Sequence, residues 1–578
     1  LPTLLEIKNL SVAFGDGDAR KMAVSNISFT VNRGEILAVV GESGSGKSVT
    51  ALSILQLLSQ KTTRYPSGQI LFDHNSEQLD LLQVPADTLQ KIRGADISMI
   101  FQEPMTSLNP VFTCGDQVIE AILQHQDIGR AAAREKAKEL FTKVRLPDPE
   151  EILKRFPHQL SGGQKQRIMI AMAISCDPAL LIADEPTTAL DVTVQKNILE
   201  LLRDLQAQTG MGMIIITHDL GVVKDIAHRV VVMYRGQLVE TANTNKLFSS
   251  PAHPYTQALL ACRPLLHNKG SRLPVVSDFM NNEATIEKPS LTSLIVASSQ
   301  TRKAESGENP VPLLEVSKLR VWFPSRKNIF GKPLTWVKAV NDVSFEVLHG
   351  ETLGIVGESG SGKTTLGRAL LRLVPANGGE VIYRPAGIDL LSLGKHKLEI
   401  LRKNIQIVFQ DPYASLNPRM RIGDALLEAM STHGIETTVA RRKERVVQLL
   451  EKVNLEADHF KRYPHAFSGG QRQRIGIARA LALEPGFIVF DESVSALDVS
   501  VQAQVLNLIN DLKSEFGFTA IFISHDLGVV RYISDRIMVM HAGQTEEIGP
   551  AEQVFNNPTS LYTRRLVDAI PGGKNQFL

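Results

Sequence analysis

The sequence predicts an α/β protein in which one parallel-sheet unit is built twice in tandem. Three observations predict it. The octapeptide "GESGSGKS" at 41–48 returns as "GESGSGKT" at 357–364, and each is a complete G-x-x-x-x-G-K-S/T phosphate-binding loop. Short, nearly continuous apolar runs, "EILAVVG" (35–41), "ALLIADE" (179–185) and "MIIITHD" (213–219), have the character of strands buried on both faces of a parallel sheet. Segment after segment of the first half also has a counterpart in the second, the mark of a repeat.

The bulk properties fit two units. A chain of 578 residues exceeds what one hydrophobic core supports, so two to four domains are expected. Hydrophobic residues at 43% and charged ones at 21% are ordinary for a globular protein. The 63 Lys and Arg nearly cancel the 61 Asp and Glu, leaving no large field for gripping nucleic acid or an acidic membrane. No stretch approaches the length of an apolar spanning helix, and the opening "LPTLLEIKNLSVAF" lacks the basic and apolar regions of a secretory signal. Cys114, Cys176 and Cys262 are far apart and read as reduced, structural thiols of a cytoplasmic protein.

The repeat runs through "LEIKNLSVAF" (5–14) and "LEVSKLRVWF" (314–323), "SMIFQEPMTSLNP" (98–110) and "QIVFQDPYASLNP" (406–418), and "FPHQLSGGQKQRI" (156–168) and "YPHAFSGGQRQRI" (463–475). It continues in "LIADEPTTALDVTVQ" (181–195) and "IVFDESVSALDVSVQ" (488–502), then "IIITHDLGVV" (214–223) and "IFISHDLGVV" (521–530). From "SGGQ" onward the offset is a constant 307 residues, against 316 at the phosphate loops; such length changes belong in surface loops. Residues 1–262 and 313–578 are therefore expected to be the two copies. The polar stretch 263–312, with scattered Pro, Gly and Ser, reads as a partly mobile linker. Within the first copy, "SVTALSILQLL" (48–58) and "AAAREKAKELFTKV" (131–144) have helical spacing, and 111–178 is expected to form a helical subdomain.

Each motif has its chemistry. In the loops, Gly41, Gly44 and Gly46, and Gly357, Gly360 and Gly362, let the backbone curl so that N–H groups point at phosphate oxygens. Ser43, Ser45 and Val49 belong to the first cradle; Ser359, Ser361 and Thr365 belong to the second. Lys47 and Lys363 are placed to reach β- and γ-phosphates, and the hydroxyls of Ser48 and Thr364 to ligate Mg²⁺. Such a loop arises by accident in roughly one chain of this length in fifty; two, each after a strand and before a helix, do not. Beside them, Asp184 and Asp491 would hold Mg²⁺, while Glu185 and Glu492, aimed differently, would polarise an attacking water. An isolated "DE" would be read as two solvated acids; the apolar run before each pair and the phosphate loop argue against that. "LSGGQKQR" (160–167) and "FSGGQRQR" (467–474) open a helix with Ser as cap and leave glycine N–H groups bare for an anion.

Taken together, phosphate loop, Gln at a strand end, SGGQ, apolar strand with DE, S/TALD and a final His resemble the ATP-binding cassette ATPases, over roughly 5–262 and 313–570. The resemblance implies two tandem ABC-type P-loop NTPase domains, each with a RecA-like core sheet, an antiparallel β subdomain and a helical subdomain. It implies ATP and Mg²⁺ as cofactors. It also implies head-to-tail pairing of the cassettes, with Ser161, Gly162, Gly163 and Gln164 completing the site of Lys363 and Ser468, Gly469, Gly470 and Gln471 that of Lys47. Fusion into one chain then keeps each half-site near its complement, one chain per transporter. Gln102 and Gln410 would sense Mg²⁺ and the attacking water, His218 and His525 would contact the γ-phosphate, and Asp191 and Asp498 would communicate between cassettes. Phe14 and Phe323 would stack on adenine, although an aromatic ending an apolar strand serves a core equally well.

The segments after each Gln, with "HPYTQALL" (253–260) and "SLYTRRLV" (560–567), resemble the peptide/nickel importer branch, most of all the double-cassette subunits that energise uptake of glutathione, di- and oligopeptides. That implies an ATP-hydrolysing subunit at the cytoplasmic face of the inner membrane, bound to two permease subunits and served indirectly by an extracytoplasmic solute-binding protein. Unfused relatives often carry a four-cysteine motif after the HPYT helix; only Cys262 lies there, so no iron–sulfur cluster is expected. Ser493 stands where the first copy has Pro186. The competing class is a soluble double-cassette ATPase acting on ribosomes or DNA. The linker here mixes charges and lacks helical period, and no zinc CxxC pair or long coiled coil is present.

Overall fold

A computed structural model describes residues 2–15, 20–74, 77–102, 107–188, 190–280, 311–327, 333–495 and 497–570. Residues 281–310 of the expected linker, and 103–106 of the first segment after Gln102, lie outside the described residues. The chain divides into two compact units. One comprises Leu1–Leu190, Val194–Leu260 and Val276–Asn281; the other comprises Asp191–Thr193, Ala261–Val275 and Asn282–Leu578.

The first unit opens on an antiparallel sheet of order β2-β1-β4-β5, made of β1 (Thr3–Phe14), β2 (Lys21–Asn32), β4 (Thr63–His74) and β5 (Glu77–Asp80). β1 buries Leu5 and Ile7, then Leu10 and Val12. The alternation changes phase between Ile7 and Leu10, where the register to β2 shifts and Asn9 takes φ 48°. A bulge thus keeps both apolar pairs on the core side despite the odd spacing. The second sheet has the order β10-β9-β3-β8-β7-β6. Here β3 (Ile36–Val40) lies between β8 (Gly212–Thr217) and β9 (Arg229–Tyr234), with β7 (Leu180–Asp184), β6 (Ile97–Ile100) and the antiparallel edge β10 (Gln237–Asn243) outward. Every residue of β3, β7 and β8 is buried, as the continuous apolar runs require.

Helix α1 (Lys47–Ile54) follows the first phosphate loop but is shorter than the expected 48–58. Gln56 turns to φ 47°, and the Arg93 guanidinium takes over the exposed carbonyls of Leu55 and Gln56, each at 2.8 Å. A long-range cation ends this helix, which no local spacing reveals. The helical layer contains α2 (Cys114–His125), α3 (Arg130–Lys143) and α4 (Gly162–Ala173), joined through Val118, Ile122, Phe141 and Ile168. Helix α5 (Leu220–Ile226) follows β8, and α6 (Pro254–Ala261) contains most of the HPYT motif.

The second unit repeats the plan. Its sheets have orders β12-β11-β14-β15 and β16-β17-β18-β13-β19-β20. The strands are β11 (Pro312–Lys327), β12 (Pro333–Leu348), β13 (Thr352–Val356), β14 (Gly378–Tyr383), β15 (Ile388–Asp389), β16 (Ile405–Val408), β17 (Phe487–Asp491), β18 (Thr519–Ile523), β19 (Arg536–His541) and β20 (Gln544–Pro550). The bulge recurs too, with a register shift between Val316 and Leu319 and Lys318 at φ 48°. Helices α7 (Lys363–Leu370), α8 (Gly469–Leu481), α9 (Val499–Phe516), α10 (Leu527–Ile533) and α11 (Leu561–Asp568) occupy corresponding places.

Part of the stretch read as linker is built into this second unit. Leu273 is fully buried, its N–H donates to Asn507 Oδ1 at 2.9 Å, and its carbonyl accepts from Asn507 Nδ2 at 2.8 Å. Tyr532 donates to the Ser271 carbonyl at 2.7 Å, and Lys269 pairs with Asp535. Among the described residues no helix is long and apolar enough to cross a membrane.

Candidate functional site

Each phosphate loop leaves the end of a central strand and curls back into a helix. Gly41 (φ 154°) and Gly357 (φ 154°) make the first bend, where a Cβ would stand 2.2 Å from the carbonyl oxygen of Met233 or Met540 respectively. Only glycine fits such a position. The Lys47 ammonium reaches back over its loop to the carbonyls of Gly41 (2.7 Å) and Glu42 (2.8 Å), and Lys363 does the same to Gly357 (2.7 Å) and Glu358 (2.8 Å). Both lysines are buried. Burial lowers the pKa of Lys363, and Glu492 and Asp491 oppose that shift.

A buried aspartate ends the adjacent strand in each unit. Ser48 hydrogen-bonds Asp184, and the Thr364 hydroxyl donates to Asp491 Oδ1 at 2.8 Å. Burial pushes Asp184 up to about 6, against the Ser48 bond, and raises Asp491 as well. Asp184 Oδ1 and Asp491 Oδ2 are buried without a hydrogen-bond partner among the described residues; Arg368 lies 3.5 Å from the latter. In the first unit this buried carboxylate oxygen beside a hydroxyl is a donor set that fits a hard divalent cation; in the second the same set is shared with Arg368.

One residue on, the backbone enters the left-handed region: Glu185 has φ 48° and Glu492 φ 47°. That conformation costs about 1 kcal/mol for a non-glycine residue, and it turns each side chain away from its aspartate. Glu185 is held by Gln102 Nε2 at 3.1 Å, the Thr188 hydroxyl at 2.7 Å and His218 Nδ1 at 3.2 Å. Burial alone would raise its pKa; His218, Thr188 and Lys47 outweigh burial and bring it down to about 2. Glu492 accepts from Gln410 Nε2 at 2.8 Å and has His525 Nδ1 at 3.7 Å. There too burial is outweighed, by His525 and Lys363, and the carboxyl lies below its ordinary range. Loop, aspartate, glutamate, glutamine and histidine are thus brought together in each unit.

The SGGQ segments open α4 and α8 with reciprocal caps. Ser161 Oγ accepts from the Gln164 N–H at 3.3 Å while Gln164 Oε1 accepts from the Ser161 N–H at 3.0 Å, and Ser468 and Gln471 repeat both distances. A Cβ on Gly163 would meet Val194 Cγ1 at 2.7 Å, and one on Gly470 would meet Val501 Cγ1 at 2.3 Å. Ser161, Gly162, Ser468 and Gly469 are exposed, so these turns present N–H groups outward. Phe14 is half-buried at the end of β1, whereas Phe323 is 41% exposed within β11 and serves no core.

Sequence reasoning passed over Thr188, which binds Glu185, and Arg368 beside Asp491. It also passed over the loop contacts of Tyr255 and Tyr562, whose hydroxyls accept from the N–H groups of Glu42 (2.9 Å) and Glu358 (3.3 Å). The recurrence of Tyr-Thr at the constant 307-residue offset was the available signal for the tyrosines.

The parallel sheets, their loops and the buried carboxylate pairs define a nucleoside-triphosphate-binding protein with the machinery present twice. Comparison with known proteins agrees. The ABC transporter family model matches residues 24–188 and 340–495, and the oligopeptide/dipeptide transporter C-terminal region matches 239–288 and 547–576. Over 574 residues the chain is 51% identical to the glutathione import ATP-binding protein GsiA of Shigella boydii, covering 98% of this chain and 89% of that one. It is 50% identical to the Escherichia coli and Salmonella typhimurium proteins of the same name, with the same coverage. A solved ATP-binding cassette in a dimeric post-hydrolysis state aligns with 42% of this chain and 99% of its own at 27% identity, TM-score 0.37. The chain belongs to the ABC transporter family, as an ATP-binding, ATP-hydrolysing subunit with two cassettes.

Proposed function

We propose that this ATPase powers import of a peptide, of dipeptide, oligopeptide or glutathione type, through a pair of membrane permease subunits. The chain would lie peripherally at the cytoplasmic face of the inner membrane, served indirectly by an extracytoplasmic solute-binding protein. The observation that carries the catalytic reading is the glutamate held ionised beside each phosphate loop, with a glutamine and a histidine on it. The import reading draws on the printed names of the relatives and on the matched C-terminal region.

In this reading residues 1–262 and 313–578 are the cassettes and 263–312 joins them. Lys47 and Lys363 exchange their loop carbonyls for nucleotide phosphates. Ser48, Gln102 and Asp184 would hold Mg²⁺ at one site and Thr364, Gln410 and Asp491 at the other, and the ion would supply positive charge against the phosphates. Glu185 and Glu492 orient the attacking water, and His218 and His525 hold the glutamates and the γ-phosphate end of the site. Asp191 and Asp498 carry the state of one cassette to the other. The Ser161–Gln164 and Ser468–Gln471 turns offer their outward N–H groups to the nucleotide of the opposite cassette.

For a permease helix there is a groove of about 310 Å³ next to Gln102, lined by Leu57, Phe101, Leu108, His125, Met169 and Met172. Phe101, 43% exposed, precedes Gln102 directly, so a helix seated there would sense the glutamine that touches Glu185. The test is a pull-down from detergent-solubilised native membranes. Recovery of two polytopic permeases and a solute-binding protein is expected. Recovery of ribosomes or nucleic acid without a permease would overturn the import reading and leave the ATPase standing.

A further inference from the structure

The first peptide of each phosphate loop is gripped on both edges. Its carbonyl, Gly41 O, accepts from Lys47 Nζ at 2.7 Å, while its N–H, on Glu42, donates to the Tyr255 hydroxyl at 2.9 Å. In the second unit Gly357 O accepts from Lys363 Nζ at 2.7 Å and the Glu358 N–H donates to Tyr562 at 3.3 Å. In a trans peptide these groups lie on opposite edges of one plane, so the two contacts together fix its rotation.

The tyrosines are themselves immobilised. Tyr255 is fully buried, and its ring lies 4.3 Å from that of Tyr234, at the end of the strand whose Met233 carbonyl crowds Gly41. The chain entering α6 is tied down by Glu240, which accepts from the N–H groups of Ala252 and His253 at 2.9 Å each. In the second unit Glu547 accepts from the N–H groups of Thr559 (2.9 Å) and Ser560 (3.2 Å), and the Tyr562 ring stacks 4.1 Å from His541. The same clamp is built twice around different neighbours.

We propose that Tyr255 and Tyr562 are positioning residues of the two nucleotide sites, each hydroxyl holding the first peptide of its phosphate loop in the orientation that receives phosphate. The proposal rests on reading the loops as the ATP sites. When the lysine leaves the loop carbonyl for a nucleotide, the tyrosine still grips that peptide from its N–H edge. Without the hydroxyl, the free loop turns its buried N–H toward water, and binding must turn it back. The region that marks the peptide-importer branch is thereby part of the nucleotide site.

The test is equilibrium ATP binding to the full chain in EDTA, where two binding events are expected. Tyr255→Phe keeps the ring and should weaken one event about tenfold, the scale of leaving a buried N–H unpaired; Tyr562→Phe should weaken the other. In steady state the loss should fall on KM rather than kcat, while the thermal midpoint of the nucleotide-free chain stays close to that of the parent. Lys47→Ala and Lys363→Ala serve as the reference. If they abolish their binding events and the Phe variants bind ATP like the parent, the tyrosine role is overturned and the ATP sites stand. A fall in thermal midpoint with affinity unchanged well below it also overturns the role. If the Ala variants keep both binding events, the ATP-site reading falls first and the clamp with it.

Discussion

The two catalytic centres share their lysine, Asp-Glu pair, glutamine and histidine and differ in the residues around them. Around Glu185 stand Gln102, His218 at 3.2 Å and the Thr188 hydroxyl at 2.7 Å. Around Glu492 stand Gln410 and His525 at 3.7 Å, and Ser495, which replaces Thr188, has a buried hydroxyl without a partner among the described residues. The aspartates differ in the opposite sense: Asp491 has Arg368 within 3.5 Å, where the first unit has Leu52. Duplication kept the reacting groups, while the residues that tune their charge drifted. The first glutamate is held more firmly; the second aspartate is better compensated.

The largest expected effect tests whether both centres hydrolyse. Glu185→Gln and Glu492→Gln each remove a group worth about a hundredfold or more in its own site. In the two-site reading, each variant alone should sharply reduce transport-coupled phosphate release. If one substitution leaves that rate intact while the other abolishes it, the two-site reading is wrong and the drift around Glu492 has gone as far as inactivity.

Next comes the stability of the aspartates with pH. The ordinary Asp184 carboxyl value of 3.8 is raised by burial to about 6 in the fold. Its ionised form is therefore disfavoured in the native state. The stability that this group contributes is complete below pH 3.8 and lost as pH rises through about 6. A shift of that size corresponds to about 3 kcal/mol. In EDTA, Asp184→Asn should raise the denaturation midpoint of the first unit at pH 8 and flatten its slope between pH 4 and 6. Asp491→Asn should gain less, because Arg368 already opposes the burial. Arg368→Leu, copying the first unit, should make the two units alike. Equal gains from both Asn variants in the parent background would mean that Arg368 does nothing for Asp491.

A smaller effect separates Thr188 from Ser495. Thr188→Ala removes a hydrogen bond to a charged group, worth about 1.5 kcal/mol or roughly tenfold in first-site turnover. Ser495→Ala removes a hydroxyl with no hydrogen-bond partner among the described residues and should change turnover less than about twofold. Measured in the otherwise unaltered chain, the two losses compare the sites. A larger loss from Ser495→Ala would reverse the ranking of the glutamates.

Much of this was legible in the sequence, because phosphate loops, paired carboxylates and buried parallel strands are local patterns. β3 and β7 lie within the apolar runs and β8 overlaps its run, while the loop that Gly41 begins is marked by its own glycine spacing. What escaped depends on distant partners. Nothing near Leu55 announces that Arg93 ends α1. Nothing near Leu273, in a polar and proline-containing stretch, announces that Asn507 pairs with its backbone on both sides. The left-handed turn at Glu185 is equally hidden, since a strand followed by an acid gives no hint that its φ changes sign. Thr188 lies within the S/TALD motif, where the pattern conceals a hydroxyl three residues from the glutamate it binds.

The smallest effect concerns the motif position where one copy has proline and the other does not. Ser493 occupies the place of Pro186; it is 3% exposed, and its hydroxyl has no partner among the described residues. Proline disfavours many conformations of the residue before it. Glu185 precedes Pro186 at φ 48° and Glu492 precedes Ser493 at φ 47°, so the backbone that accepts proline in one unit is already formed in the other. Ser493→Pro should therefore remove an unpaired hydroxyl and stiffen the unfolded chain, stabilising the second unit by about 0.5–1 kcal/mol. Because two units need not unfold together, the measurement is the second unit's own transition, followed by hydrogen exchange at β17. Slower exchange at β17 with turnover unchanged is the expected result. Faster exchange would show that the serine is required by the second centre, and that its divergence from the first reaches the backbone of the catalytic turn.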